Sequence, residues 1–106
     1  MMVPEKIRIG SLEYRVIRAK QEEKLDDFPD GWLGIHDYSS LELWLAEDVP
    51  GDLAPYILLH EVLHAALDYL GIQVDREEEL VTGLSHLLVD VLRNNRDLVT
   101  FLIGGA

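Results

Sequence analysis

Ala54-Pro55-Tyr56-Ile57-Leu58-Leu59-His60-Glu61-Val62-Leu63-His64-Ala65-Ala66-Leu67-Asp68-Tyr69-Leu70 is the stretch from which the rest of the chain is read. Leu59, Val62, Leu63, Ala66, Tyr69 and Leu70 recur at three- and four-residue steps, which predicts a helix with one core face. Its ends are marked as well. Asp52 is the expected N-cap, Pro55 falls in the first turn where its missing N–H costs little, and Gly71 suits a left-handed residue after the C-terminus. His60 and His64 stand at i and i+4, so both imidazoles leave one face about one turn apart. That spacing lets both rings reach one zinc ion at about 2.0–2.1 Å. Glu61 lies about 100° round the helix from His60. It cannot easily share the metal with both histidines, but it can reach a water bound there. This is the H-E-x-x-H pattern, in which two histidines hold zinc and the glutamate is the general base. The alternative is a pair of buried histidines donating to backbone carbonyls. Either way the polar trio needs partners, because an unpaired buried group costs about 2–3 kcal/mol.

Downstream, Gly71-Ile72-Gln73-Val74 leads into a second expected helix from about Asp75 to Asn94. Val81, Leu84, Leu88 and Val91 form its packing stripe, with Leu80, Leu87 and Leu92 beside them. Asn94-Asn95 is a stop, and Arg96-Asp97-Leu98-Val99-Thr100-Phe101-Leu102-Ile103 is an apolar tail, expected as a last helical segment docked on the core. Phe101 and Ile103 could instead mark a patch for self-association, giving a homo-oligomer through the C-terminal tail.

Upstream, Ile7-Arg8-Ile9 and Tyr14-Arg15-Val16-Ile17 flank Gly10-Ser11 and read as a hairpin. Residues 20–27 are a charged connector, a loop or a loose helical turn, and Asp30-Gly31 marks a turn. Residues 32–38 read as a third strand, Ser39-Ser40 as the next turn, and residues 41–46 as a fourth strand with Leu41, Leu43 and Leu45 on one face. Strands first and helices after predict one α+β domain over residues 1–106, a small antiparallel β-sheet of three or four strands against two packed helices.

The chain has 106 residues, 48% of them hydrophobic, which suits a single modest globular core. It holds no cysteine, so any zinc would be held by His, Asp, Glu and water. Nine basic residues against a net charge of −11 argue against nucleic acid as a partner and predict a solvated acidic surface. No apolar run is long enough to span a bilayer, and Met1-Met2-Val3-Pro4-Glu5-Lys6 lacks the apolar region of a signal peptide. The expectation is a protein that stays in the cytoplasm.

A zinc peptidase site normally has three protein ligands and a water. Arg76-Glu77-Glu78-Glu79 opens the second helix, and antiparallel packing would bring that turn near His64. Glu77, Glu78 and Glu79 are all candidates, with Glu78 preferred because it shares a face with Val81, Thr82 and Ser85. Small residues at 82, 83 and 85 would allow close helix approach. Against this, carboxylates suit any first helical turn, and Asp75-x-x-Glu78 resembles a capping box that would tie Glu78 to its own backbone. His36, Tyr38 and Tyr56 are the candidates for stabilising an oxyanion. His86 is expected at the surface or the edge of the core.

The succession of short hairpins, Leu58-Leu59-His60-Glu61-x-Leu63-His64-Ala65, an acidic cluster, Val81-x-x-Leu84-Ser85-x-x-Leu88 and Arg93-Asn94-Asn95 resembles the small zincin-like metallopeptidases encoded by bacteriophages and prophages. These are distantly similar to the bacterial proteases that cleave phage-type repressors. The resemblance spans about Ile7 to Leu102. It implies that His60, His64 and Glu78 are zinc ligands, that Glu61 is the catalytic base, and that the substrate is a protein or peptide. On this view an extended substrate adds to an edge of the strand at residues 41–46, with Glu42 or Trp44 lining the groove. The other class of function is a non-catalytic, zinc-bearing module for protein interaction.

Overall fold

The computed structural model describes residues 2–24 and 31–104, which form four strands, a 3-10 turn and three α-helices. β1 (Lys6–Ile9) and β2 (Leu12–Ala19) are the expected hairpin, paired antiparallel. Gly10 turns it with φ +60°, and a Cβ there would meet the Tyr69 ring, whose hydroxyl accepts a hydrogen bond from the Ser11 N–H at 3.2 Å. The charged connector contains the 3-10 turn Gln21–Lys24. Its residues 25–27, and Asp30 of the expected turn, lie outside the described residues. The Trp32 indole donates to the Gln21 carbonyl at 2.8 Å and the Gln21 amide donates back to the Trp32 carbonyl at 2.7 Å, tying the two flanks of the connector together.

β3 (Gly34–Asp37) and β4 (Glu42–Ala46) form a second antiparallel hairpin. The two hairpins join through β2 and β4, which run parallel in the order β1-β2-β4-β3. The sheet is therefore mixed where an antiparallel one was expected, while the α+β class holds. The reason is burial. Leu43, Leu45 and Ala46 are buried, so β4 takes the middle of the sheet and the half-buried β3 takes its edge. The expectation of a free edge on residues 41–46 is thereby overturned, since β4 has a neighbour on each side. Glu42 is occupied by Arg15, Ser40 and Trp44, and Trp44 packs against the core.

α1 (Ala54–Leu70) crosses this sheet with the bounds read from its periodicity. Asp52 does not cap it. The cap position falls to Leu53, and the Leu53 and Ala54 N–H groups donate to the Pro50 carbonyl at 2.9 and 3.0 Å, so a backbone turn does the work. Gly71 is left-handed as expected, and the Gly71 and Ile72 N–H groups close the helix on the Asp68 and Leu67 carbonyls. The core face differs from the expected one. Ala54, Glu61 and Ala65 are buried, whereas Tyr69 and Leu70 are exposed. Ala65 packs in a cluster with Tyr14 and Leu43, and Ala54 in a second with Ala19, Trp32, Leu45, Ala46 and Val49. The small side chains face the sheet because they let the helix lie close to it.

α2 (Glu77–Asn94) packs on α1, and α3 (Arg96–Leu102) follows it. Of the expected stripe of α2, Val81 is buried and Leu88 and Val91 are half-buried, while Leu84 is exposed; Ser85 and Val89 complete the buried stripe. Ser85 is wholly buried and its hydroxyl donates to the Thr82 carbonyl at 3.0 Å. The apolar arc of α2 is wider than the contact it makes, and Leu80, Leu84 and Leu87 stay exposed. Thr82 and Gly83 are exposed too, so of the three small residues only Ser85 lies in a buried position. α3 does not dock on the core. Its residues are exposed apart from the half-buried Val99. No helix among the described residues is long and apolar enough to cross a membrane.

Candidate metal centre

Two turns of backbone bring the acidic cluster to the histidines. Gly71 ends α1, and Arg76, left-handed at φ +59°, starts α2. Such a conformation is uncommon for a residue with a Cβ and costs of order 1 kcal/mol. It reverses the chain so that the first turn of α2 lies over the C-terminal half of α1. α2 has no side-chain cap, so Glu78 is not held in the capping box that Asp75-x-x-Glu78 suggested.

The three candidate carboxylates separate cleanly. Glu79 pairs with the Arg76 guanidinium. Glu77 places Oε2 2.6 Å from His64 Nδ1. Glu78 spans both rings, with Oε1 2.8 Å from His60 Nε2 and Oε2 2.9 Å from His64 Nε2. The two Nε2 atoms are 3.2 Å apart. His60, His64 and Glu78 are the one group among the described residues whose donor atoms could hold a metal ion. Two ligand atoms about 2.0–2.1 Å from one tetrahedral centre lie about 3.3 Å from each other. The Nε2–Nε2 separation is close to that, the Glu78 oxygens reach the two rings at hydrogen-bond distance, and one donor atom from each residue lies within 4.8 Å of the others, so the donor set fits a zinc-sized ion in its chemistry and broadly in its spacing. The histidine side chains are mostly buried, whereas that of Glu78 is 71% exposed, so the site opens to solvent on the α2 side.

Charge in the group is shaped by burial. Burial holds His60 below the ordinary imidazole range, against the pull of Glu78. Burial also opposes charge on His64, but the hydrogen bond to Glu77 and the charges of Glu61 and Glu78 outweigh it, and its pKa is raised. Glu61 is only 9% exposed. Burial pushes its carboxyl up to about 7, with His64 pulling it down and Glu78 pushing it further up. A carboxylate near neutrality is matched to accepting and returning a proton at physiological pH. Gly34 of β3 is the reason it fits. A Cβ there would lie 2.7 Å from Ile57 Cγ2 and 3.1 Å from the Glu61 carboxylate.

The expected oxyanion donors fare differently. His36 is occupied. Its Nδ1 faces Asp68 Oδ2 at 3.4 Å and its Nε2 lies 3.1 Å from the buried Tyr14 hydroxyl. Since a carboxylate only accepts, Nδ1 carries the proton and Nε2 accepts from Tyr14. Burial depresses the pKa of His36, in keeping with a neutral ring. It acts as a strut between β2, β3 and α1. Tyr38 sits edge-on to His36, half exposed. Tyr56 lies one turn before His60; its hydroxyl donates to Asp90 at 3.1 Å and accepts from Arg93 at 3.3 Å. His86 stacks on the Tyr56 ring at 4.8 Å, a contact that sequence reasoning missed. The signal was present: Tyr56 is four residues before His60, and His86 is eight after Glu78, so each shares a helix face with a member of the His60–His64–Glu78 group. An apolar hollow of about 340 Å³ lies elsewhere, lined by Val3, Ile7, Leu45, Leu58, Leu59 and Val62, and none of the site residues borders it. No family model, no curated protein and no solved structure matches the chain.

Proposed function

We propose that this chain is a minimal zinc-dependent metallopeptidase, with His60, His64 and Glu78 as the metal set and Glu61 as general base. One observation carries the reading: two Nε2 atoms and a carboxylate converge within 4.8 Å of one another, beside a buried glutamate with a pKa near 7. Zinc, when bound, supplies Lewis acidity toward a water and a peptide carbonyl. The chain's own residues supply the rest. Glu61 takes a proton from the attacking water and returns it to the leaving amine. The open side at Glu78 admits the substrate, and the edge strand β3 offers backbone groups to an extended peptide, in place of the interior β4. The acidic surface speaks for a protein or peptide substrate over nucleic acid. By resemblance to the phage-encoded enzymes, the protein works in the cytoplasm of a bacterium or an infected host.

Metal content tests this first. Untagged protein analysed by mass spectrometry should carry about one equivalent of zinc, and His64→Ala should carry none. Folded wild-type protein that takes up no metal from zinc-supplemented medium would sink the reading.

Copies of the chain associate through the tail in this proposal. Phe101 and Ile103 of the C-terminal segment are 82% and 75% exposed, which supports that use. Sedimentation equilibrium should return a dimer or larger species for the wild type and a monomer for the Phe101→Ser, Ile103→Ser double variant. A monomeric wild type at 100-fold dilution and at high concentration alike would remove the tail as an interface.

A further inference from the structure

We propose that Glu77 is a positioning residue that fixes the tautomer and orientation of His64 for metal binding; this rests on the metal-centre reading above. Glu77 and Glu78 are adjacent, yet they address opposite nitrogens of one ring. Glu77 Oε2 is 2.6 Å from Nδ1, and Glu78 Oε2 is 2.9 Å from Nε2. An ionised carboxylate accepts hydrogen bonds and donates none, so Nδ1 donates to Glu77, and in the metal-free ring Nε2 donates to Glu78 by the same rule. A cation seated between Nε2 and Glu78 would displace the Nε2 proton, while Glu77 keeps the proton on Nδ1 and so leaves the Nε2 lone pair for the ion. A histidine with the opposite tautomer would turn a proton toward the cation.

Exposure separates Glu77 from an acid placed merely to suit the helix terminus. Its side chain is 33% exposed, against 71% for Glu78 and 66% for Glu79. The backbone makes this possible. Left-handed Arg76 sets the direction of the first turn of α2, and successive residues then project about 100° apart. One carboxylate reaches the Nδ1 edge of the His64 ring and the next reaches its Nε2 edge. Carboxylates that accept from the far nitrogen of a metal-bound histidine are typically worth about 10–100-fold in metal affinity.

The test uses the full chain, stripped of metal and titrated with zinc against a chromophoric chelator. Glu77→Ala should bind one equivalent with a dissociation constant about 10–100-fold above wild type. Glu77→Gln keeps an acceptor oxygen and should lose less. In nitrogen-15 spectra of the zinc-loaded protein, the His64 Nδ1 proton should be resolved in wild type and broadened by solvent exchange in Glu77→Ala. Wild-type affinity in both variants, with an unchanged Nδ1 signal, overturns the assignment and leaves the metal centre standing. Wild-type protein that binds no zinc overturns both. Melting curves of the metal-free variants report their folding, and if the alanine variant is unfolded the glutamine variant decides.

Discussion

Glu61→Gln is expected to lower peptide turnover by about 10²–10⁴-fold while the protein keeps its equivalent of zinc. Retention of turnover within a few-fold of wild type would remove Glu61 from the chemistry. If a macromolecular partner were held with unchanged affinity and no peptide were cut by the wild type either, the chain would be a zinc-bearing interaction module instead. The same variant carries a stability signature that does not depend on knowing the substrate. The Glu61 pKa rises from 4.5 to about 7 on folding, chiefly through burial. Below pH 4.5 the group is protonated in both states and contributes nothing. Between pH 4.5 and 7 the unfolded chain releases the proton while the folded one keeps it, so stability falls as pH rises. Above pH 7 the full penalty, about 3 kcal/mol, is in place. Urea denaturation of metal-free protein should therefore find Glu61→Gln more stable than wild type by up to about 3 kcal/mol at pH 8, and equal to it near pH 4. Equal stabilities at both pH values would contradict the buried environment assigned to Glu61.

Gly34→Ala should be the most damaging small substitution outside the metal set. The added methyl meets Ile57 Cγ2 at 2.7 Å and the Glu61 carboxylate at 3.1 Å, and the strand cannot retreat without breaking its pairing with β4. Overpacking of this kind costs about 1–3 kcal/mol. Displacing a reacting group by about 1 Å costs about 10²-fold in rate. The expected pattern is thus a lower melting temperature, turnover reduced about 10²-fold and zinc affinity unchanged, because Gly34 does not touch the ligands. Gly51→Ala is the control, since no atom lies within 4 Å of a Cβ built there. A Gly34→Ala protein with wild-type stability and turnover would show that β3 does not set the position of Glu61.

The histidine pair was legible because a helix converts sequence spacing into geometry. His60 and His64 at i and i+4 needed nothing but periodicity to be placed together. Among Glu77, Glu78 and Glu79 the preferred Glu78 is the one that spans both rings, but pattern alone could not fix it, because the choice depends on left-handed Arg76, whose conformation no composition rule favours. The capping-box reading of Asp75 and Glu78 failed for the same reason. In the sheet, the strands could be found but not their order. A parallel β2–β4 pairing joins segments separated by the connector and the whole of β3, and local patterns carry no trace of such a partner. The His36 strut was hidden likewise, since Tyr14 and Asp68 come from elements far away in the chain. The packing stripe of α2 was misjudged because apolar residues cover more of its circumference than α1 can bury.

The order in which the site can assemble follows from where its parts lie along the chain. His60, His64, Glu77 and Glu78 all belong to α1, the turn and the start of α2, a helical hairpin of contacts close in sequence. The seat of Glu61 beneath Gly34 needs β3 packed on α1, a contact between residues 27 apart in sequence, against 14 and 18 for Glu78 with His64 and His60. Local contacts form faster than those that close long loops. The histidine–carboxylate group can therefore form while the sheet is still incomplete, and Glu61 gains its full burial only once β3 has packed against α1. If the group holds zinc as proposed, loading with metal would precede the burial of Glu61, and a newly made chain would carry its ion before it could cut a peptide.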